Sequence, residues 1–447
     1  MTVSTPVLTP AARADAAVRE ILRSQWEGVP VLRLDSPPGA GKTGVVERLA
    51  VQALGLMEER CAIATQTNEQ SFDVVRRLGR GYPRLRFWLF AREGLAVPSD
   101  VLGLPNVAVV DDLAAISPGP CVVVANAAKW SWVAEDRAGA FDLLVVDEAF
   151  QLPDYRFLQI ANLARRIVLV GDPGQIDPVV RGEIERWSSD PAGPHVPAPG
   201  ALLSRYPSVA RMALPVSRRL PPDTVAIVQP AFYPRLPFTA LALPSDRAVR
   251  PGTASGSPLD PAIDQAATGS TLMQLELPTL VTGEYDPELA GAVVALIERL
   301  LARGTSVLDE GVTRRLTPSA IGVACAHVSQ VNAVRERLPA SLAGVFVETA
   351  NRFQGLERPV MLVHHPLSGR TDAAEFHLDA GRLCVMLSRH RVACFVLARA
   401  GILDALDRYA PSGDRVLGID QDAEYEGWRA HVTIQAQLQV RGAVVPL

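Results

Sequence analysis

The run Ser36-Pro37-Pro38-Gly39-Ala40-Gly41-Lys42-Thr43 stands between an apolar stretch, Val29 to Leu34, and a helix-like one, Gly44 to Ala50. A strand that turns through a glycine loop straight into a helix commits the chain to a parallel α/β sheet. It also aims backbone N–H groups and the positive helix end at one point, which suits a phosphate. Only two of the 44 basic residues are lysines, and one of them is Lys42. A phosphate loop needs a slim ammonium beside the β- and γ-phosphates, a place that a planar guanidinium does not fit. An arginine-rich chain that keeps lysine here points to nucleotide triphosphate chemistry. The loop follows GxxxxGK[ST] except at its first position, where Ser36 replaces glycine. Thr43 is then a ligand for Mg²⁺.

With 447 residues the chain has room for two or three domains. A net charge of −4 gives no global field that would draw in nucleic acid, so any such groove has to be a local basic surface. No run of eighteen apolar residues suggests a membrane span, and Met1 to Pro10 lacks the pattern of a secretory signal. The five cysteines lie in apolar, strand-like segments without CxxC spacing, as expected of buried thiols in a reduced cytoplasm.

Apolar strand candidates alternate with helix-like stretches over Val31–Leu34, Cys61–Thr65, Arg86–Phe90, Val107–Val110, Val122–Ala125, Leu143–Val146 and Ile167–Val170. The pattern resumes over Ala320–Ala326, Val345–Glu348, Val360–His364 and Cys394–Ala398. Near-continuous apolar strands between helices predict parallel sheets covered on both faces. The expected division is residues 1–200, residues 201–405 with an irregular insertion at about 241–270, and a C-terminal extension, 406–447, with a strand-like His431–Leu438.

A second strand, Phe141 to Val146, ends in the acids Asp147 and Glu148. Carboxylates at the end of a parallel strand face the ligand crevice. There Asp147 suits the Mg²⁺ shell and Glu148 suits the deprotonation of an attacking water. A third strand ends in Gly171-Asp172-Pro173-Gly174-Gln175, whose Gln175 amide can sense a γ-phosphate, although Gly-Asp-Pro-Gly is also ordinary turn chemistry.

The wording Asp-Glu-Ala-x-Gln (147–151) followed by Gly-Asp-x-x-Gln-x-x-Pro (171–178) resembles superfamily 1 helicases, in the branch of the nonsense-decay RNA helicase, here in compact, actinobacterial style. The resemblance continues through Ile63–Asn68 (motif Ia), Val122–Trp130 (motif Ic, with Asn126 for the usual Thr), Leu214–Pro222 (motif IV), Ile321–Gln330, Thr349–Glu357 (motif V) and Arg382–Arg391 (motif VI). It implies two tandem RecA-like P-loop domains with ATP and Mg²⁺ at their interface, and translocation on single-stranded DNA or RNA in the 5′ to 3′ direction. By this resemblance Arg219 is the γ-phosphate arginine and Arg389 the arginine finger, joining Lys42, Glu148 and Gln175 as catalytic candidates. Gly39, Gly41, Lys42, Thr43 and Glu357 are the nucleotide-binding candidates, and Thr43 and Asp147 hold the metal. Thr67, Asn68 and Gln354 are assigned to nucleic acid.

Lys129 and Trp130 join that nucleic-acid set on chemical grounds. Trp130 or Trp132 is a stacking surface for a base, worth about 1–3 kcal/mol; the alternative is a core tryptophan beside a solvated lysine. Two departures from the family pattern stand out. No glutamine occupies the adenine-reading position in Leu8 to Val18, and only about fifty residues separate motifs Ia and Ic, short for the β-barrel stalk of many relatives. A compact core with weak or partner-dependent unwinding is therefore expected. The competing reading is an ATP-dependent switch subunit whose nucleotide state controls protein partners in a defence or repair complex.

Overall fold

The computed structural model describes residues 8–180, 182–187, 190–253, 256–371, 375–408 and 423–447. Parts of the expected insertion (254–255) and C-terminal extension (409–422) lie outside the described residues. The chain divides into two compact units, Met1–Pro173 with Asp177–Pro215, and Gly174–Ile176 with Val216–Leu447.

The first unit opens with helix α1 (Pro10–Trp26), started by the Thr9 hydroxyl, which accepts from the amide of Ala12. Its sheet contains β1 (Val31–Asp35), β2 (Arg60–Thr65), β3 (Phe87–Phe90), β4 (Val107–Val110), β5 (Cys121–Asn126), β6 (Phe141–Val146), β7 (Ala164–Gly171) and β8 (Ala210–Ala213). The order is β4-β3-β5-β2-β6-β7-β1-β8, and every pairing is parallel. Helices α2 (Lys42–Gly55) and α3 (Asn68–Gly81) follow β1 and β2. Alternate residues of one strand feed different cores: Cys61 and Ile63 pack on one side of the sheet, Ala62 and Ala64 on the other. That two-sided burial is why the strands read as continuous apolar runs. Between Thr67 and Cys121 the described residues form α3, β3, a short helix (Ser99–Leu102), β4 and a 3₁₀ turn, with no separate barrel.

In the second unit, β9 (Val216–Ser217) pairs with β10 (Thr239–Ala240). β11 (Arg247–Arg250) forms an antiparallel three-stranded sheet with the hairpin β13 (Ser306–Asp309) and β14 (Val312–Arg315). The main sheet uses β12 (Leu272–Leu277), β15 (Ile321–Cys325), β16 (Phe346–Thr349), β17 (Arg358–His364), β18 (His390–Arg399) and β19 (Val444–Pro446). Its order is β16-β15-β17-β18-β12-β19, again wholly parallel. Two α/β units in series, each built on a parallel sheet, are thus the architecture of the chain.

Three local readings are corrected. The stretch 241–270 holds β11 and the helix Asp260–Ala267. Strand β12, unmarked in the sequence reading, is interior to the sheet. The strand-like His431–Leu438 is part of a helix, Ala423–Val440, because Gly427, Ala430, His431, Ile434, Gln435 and Leu438 are buried at three- and four-residue spacing.

Candidate functional site

Parallel pairing brings the carboxyl ends of β1, β6 and β7 to one edge of the first unit. Asp35 is level with Gly171, and Val146 with Leu169. The Ser36 amide donates to the Gly171 carbonyl at 2.8 Å, which starts the phosphate loop from the sheet itself. Gly39 (φ 69°) and Gly41 (φ 93°) both take the left-handed backbone that favours glycine. Ser36 is fully buried and lies outside that region, so the turn asks for no glycine there. Helix α2 begins at Lys42 with no side chain capping it. Its first-turn N–H groups therefore face the loop.

Both carboxylate oxygens of Glu148 accept from the Lys42 ammonium, each at 2.7 Å. Glu148 itself sits at φ 53°, a left-handed conformation unusual for a β-carbon-bearing residue. Its amide donates to Asp147 Oδ1 at 2.9 Å, so the strained turn presents the two acids side by side. Gly171 lets this turn approach: a β-carbon there would lie 2.7 Å from the Phe150 ring and 3.1 Å from the Ala149 nitrogen. Asp147 is buried, and that burial, followed by the charge of Glu148, pushes its carboxyl up to about 7 despite Lys42. A buried acid next to a second acid suits a divalent cation, which would remove this penalty. A phosphate loop with left-handed glycines, an uncapped helix start and a buried acid beside a second acid fit a nucleotide triphosphate with Mg²⁺, and Thr43 and Asp147 are the side chains that would hold the metal. Mg²⁺ commonly takes only one or two protein ligands alongside phosphate oxygens and water.

The nucleic-acid candidates of this unit gather at the ends of β2 and β5. Thr67 caps α3, accepting from Gln70, and Asn68 Oδ1 accepts from the Asn126 amide at 2.5 Å. Asn126, where a threonine was expected, also caps the helix Ala127–Ser131 by accepting from the Lys129 amide at 2.7 Å. Gln66 reaches the Asp147 carbonyl at 3.2 Å, which ties this edge to the paired acids. Lys129 donates to the Asp111 carbonyl at 3.1 Å and lies 4.1 Å from the centre of the Phe90 ring.

Trp130 is corrected. Its side chain is fully buried between Phe90 and Phe141, and its indole N–H donates to the Ile63 carbonyl at 2.9 Å. No base can reach its face. The exposed aromatic of the pair is Trp132, at 84%.

In the second unit Arg219 follows β9. Its Nε donates to Glu357 at 2.7 Å, and its Nη1 lies 3.4 Å from the Ser388 carbonyl, one residue before Arg389. Arg389 is buried at the turn before β18. The two arginine candidates and Glu357 are therefore neighbours within one unit. Burial pushes Glu357 up, but Arg219 and Arg391 outweigh it and hold the carboxyl below its usual range. Gln354 is half-buried after the turn that follows β16. Gln175 is buried and belongs to this second unit. A β-carbon on Gly381 would lie 2.6 Å from its carbonyl oxygen, and one on Gly174 would strike the Tyr233 ring at 2.4 Å. Sequence reading missed Arg247, which donates to the Arg219 carbonyl, and Asp309, which accepts from Arg247; their signal is long-range and leaves no local motif.

Among the described residues no group of three or more His, Cys, Asp or Glu side chains forms a metal cluster, and no helix is long and apolar enough to cross a membrane. All five cysteines are free and buried.

Residues 282–401 match the AAA_12 family, described as an AAA domain. Among solved structures the chain is similar to the PRRSV helicase, at 16% identity and a TM-score of 0.42, over 87% of this chain and 54% of that one. It is also similar to the arterivirus nonstructural protein 10 helicase in complex with DNA, at 13% identity and a TM-score of 0.43, over 86% of this chain and 63% of that one. The chain thus spans less than two thirds of either protein. No curated protein matches it.

Proposed function

We propose that this chain, of which residues 282–401 match an AAA domain, is a nucleic-acid-dependent ATPase of the superfamily 1 helicase type that translocates on single-stranded DNA or RNA. The observation that carries this reading is the Lys42–Glu148 pair, closed across the end of a glycine loop beside Asp147. Bound ATP supplies the scissile γ-phosphate, and Mg²⁺ offsets its charge. The chain's own residues do the rest. Lys42 leaves Glu148 for phosphate oxygens, and Glu148, so released, orients and deprotonates the attacking water. Thr43 and Asp147 hold the metal, while Gln175 reports the γ-phosphate. Arg219 and Arg389 neutralise the charge that develops on it, a contribution of about 10³–10⁵ in rate for such arginines.

Nucleic acid is assigned to Thr67, Asn68 and Lys129 on the first unit and to Gln354 on the second, with Trp132 taking over the stacking role. A second reading, a nucleotide switch that governs a protein partner in a larger complex, is favoured by the net charge of −4 and by the absence of a barrel among the described residues. Titration of labelled single-stranded DNA and RNA at rising salt separates the two. A translocase binds the strand alone, and its affinity falls steeply with salt as phosphate contacts release counterions. Binding that appears only when a protein partner is added contradicts the translocase reading.

A further inference from the structure

The antiparallel sheet of β11, β13 and β14 lies outside the main parallel sheet of the second unit, yet its Arg247 reaches the backbone of Arg219. Arg247, on β11, is 3% exposed. Its guanidinium donates to the backbone carbonyls of Arg218, at 2.7 Å, and of Arg219, and also to Asp309 at 3.0 Å and Glu310 at 3.1 Å. Arg391, on β18, grips Asp309 at 2.6 and 3.1 Å and Glu310 at 2.7 Å, and donates to Glu357 at 3.2 Å. Glu357 in turn accepts from the Arg219 side chain at 2.7 Å. Arg219 is thus held at its backbone by Arg247 and at its side chain by Glu357, and both holds run back to one hairpin.

Three features argue against a purely structural ion cluster. Arginine and carboxylate buried together contribute little to stability over well-packed apolar side chains, so their use lies in fixing geometry. The hairpin turn places Glu310 at φ 51° and Gly311 at φ 79°, a pair of left-handed residues for which Asn-Gly or Asp-Gly is the favourable choice. Glu310 accepts the strain and gives its carboxylate to Arg247 and Arg391. Finally, Glu357 is shared. When Arg219 moves to a phosphate, Arg391 stays, and Glu357 is not left as a half-buried carboxylate without a partner.

We propose that Arg247 and Asp309 are positioning residues for Arg219: they fix its backbone and, through Arg391 and Glu357, keep its guanidinium ordered yet transferable. This rests on the reading that Arg219 acts on the γ-phosphate. The test is single-turnover ATP hydrolysis, with nucleotide affinity measured separately, for Arg219→Ala, Arg247→Met, Asp309→Asn and the double variants with Arg219→Ala. Asp309→Asn keeps the hairpin's shape should Arg247→Met fail to fold. The expected result is a loss of about 10²-fold in the rate for Arg247→Met or Asp309→Asn, as for a misplaced catalytic group, with nucleotide affinity unchanged. Each double variant is then no slower than Arg219→Ala alone. Losses that multiply in the double variants, or a normal rate in both single variants beside a slow Arg219→Ala, overturn the positioning role. A normal rate in Arg219→Ala itself overturns the γ-phosphate reading instead, and this inference with it.

Discussion

Glu148 holds a backbone conformation that costs a residue with a β-carbon roughly 1–2 kcal/mol, and it does so while pinning the only lysine of the phosphate loop. Strain kept at such a place is expected of a group that must point one way. Glu148→Gln should therefore lower hydrolysis by about 10²–10⁴-fold, the range of general-base catalysis, while nucleotide binding holds or tightens because Lys42 loses its competing anion. Calorimetric titration with a non-hydrolysable nucleotide checks the second half; weaker binding would contradict it. Arg389→Ala should abolish turnover and spare nucleotide binding, and normal turnover would remove Arg389 from the mechanism. That Lys42, Asp147 and Glu148 meet was legible because each stands at a strand end marked by short local spacing. Trp130 was not. Only Ser131 separates it from Trp132, and nothing in Lys129-Trp130-Ser131-Trp132 says which ring the Phe90 and Phe141 side chains will enclose. Trp130→Ala should cost about 3–5 kcal/mol in denaturant unfolding, the range for a deleted core aromatic; a loss of polynucleotide affinity without loss of stability would reinstate it as a stacking surface.

Among the elements, most strands of both main sheets announced themselves as apolar runs because helices cover both faces. β12 and the helix Ala423–Val440 were hidden for a shared reason. Gln274 of β12 is fully buried, and its amide exchanges hydrogen bonds at 3.1 and 2.8 Å with Gln435 of that helix. Each glutamine looks like a surface residue until the other, far along the chain, satisfies it. β-branched Val432, Thr433 and Ile434 further disguised the helix. The helix is seated by Gly427, where a β-carbon would lie 2.0 Å from the Leu378 carbonyl oxygen. Gly427→Ala should therefore destabilise by about 1–3 kcal/mol, as overpacking does, and speed hydrogen exchange over 423–440. Unchanged exchange there would mean the helix packs differently.

The molecule as a whole buries a set of neutral histidines in its second unit. Burial pushes His364 and His431 down to about 4 and His390 down to about 3, and holds His365 well below its usual value. The unfolded chain takes up these protons near pH 6.5, whereas the folded chain does not until about pH 4 or below. Stability present above pH 6.5 is therefore lost as the solution is acidified toward 4, by about 1.4 kcal/mol per pH unit for each histidine. The melting temperature should fall steadily between pH 6.5 and 4.5, and a flat profile would contradict the neutral, buried assignment. Whether the same molecule is a motor turns on one measurement: steady-state ATP hydrolysis by the purified chain with and without single-stranded DNA or RNA, with Lys42→Ala as the blank. The account predicts hydrolysis that one polynucleotide stimulates and that disappears in Lys42→Ala. Hydrolysis that persists in Lys42→Ala, or that neither DNA nor RNA changes, would contradict it.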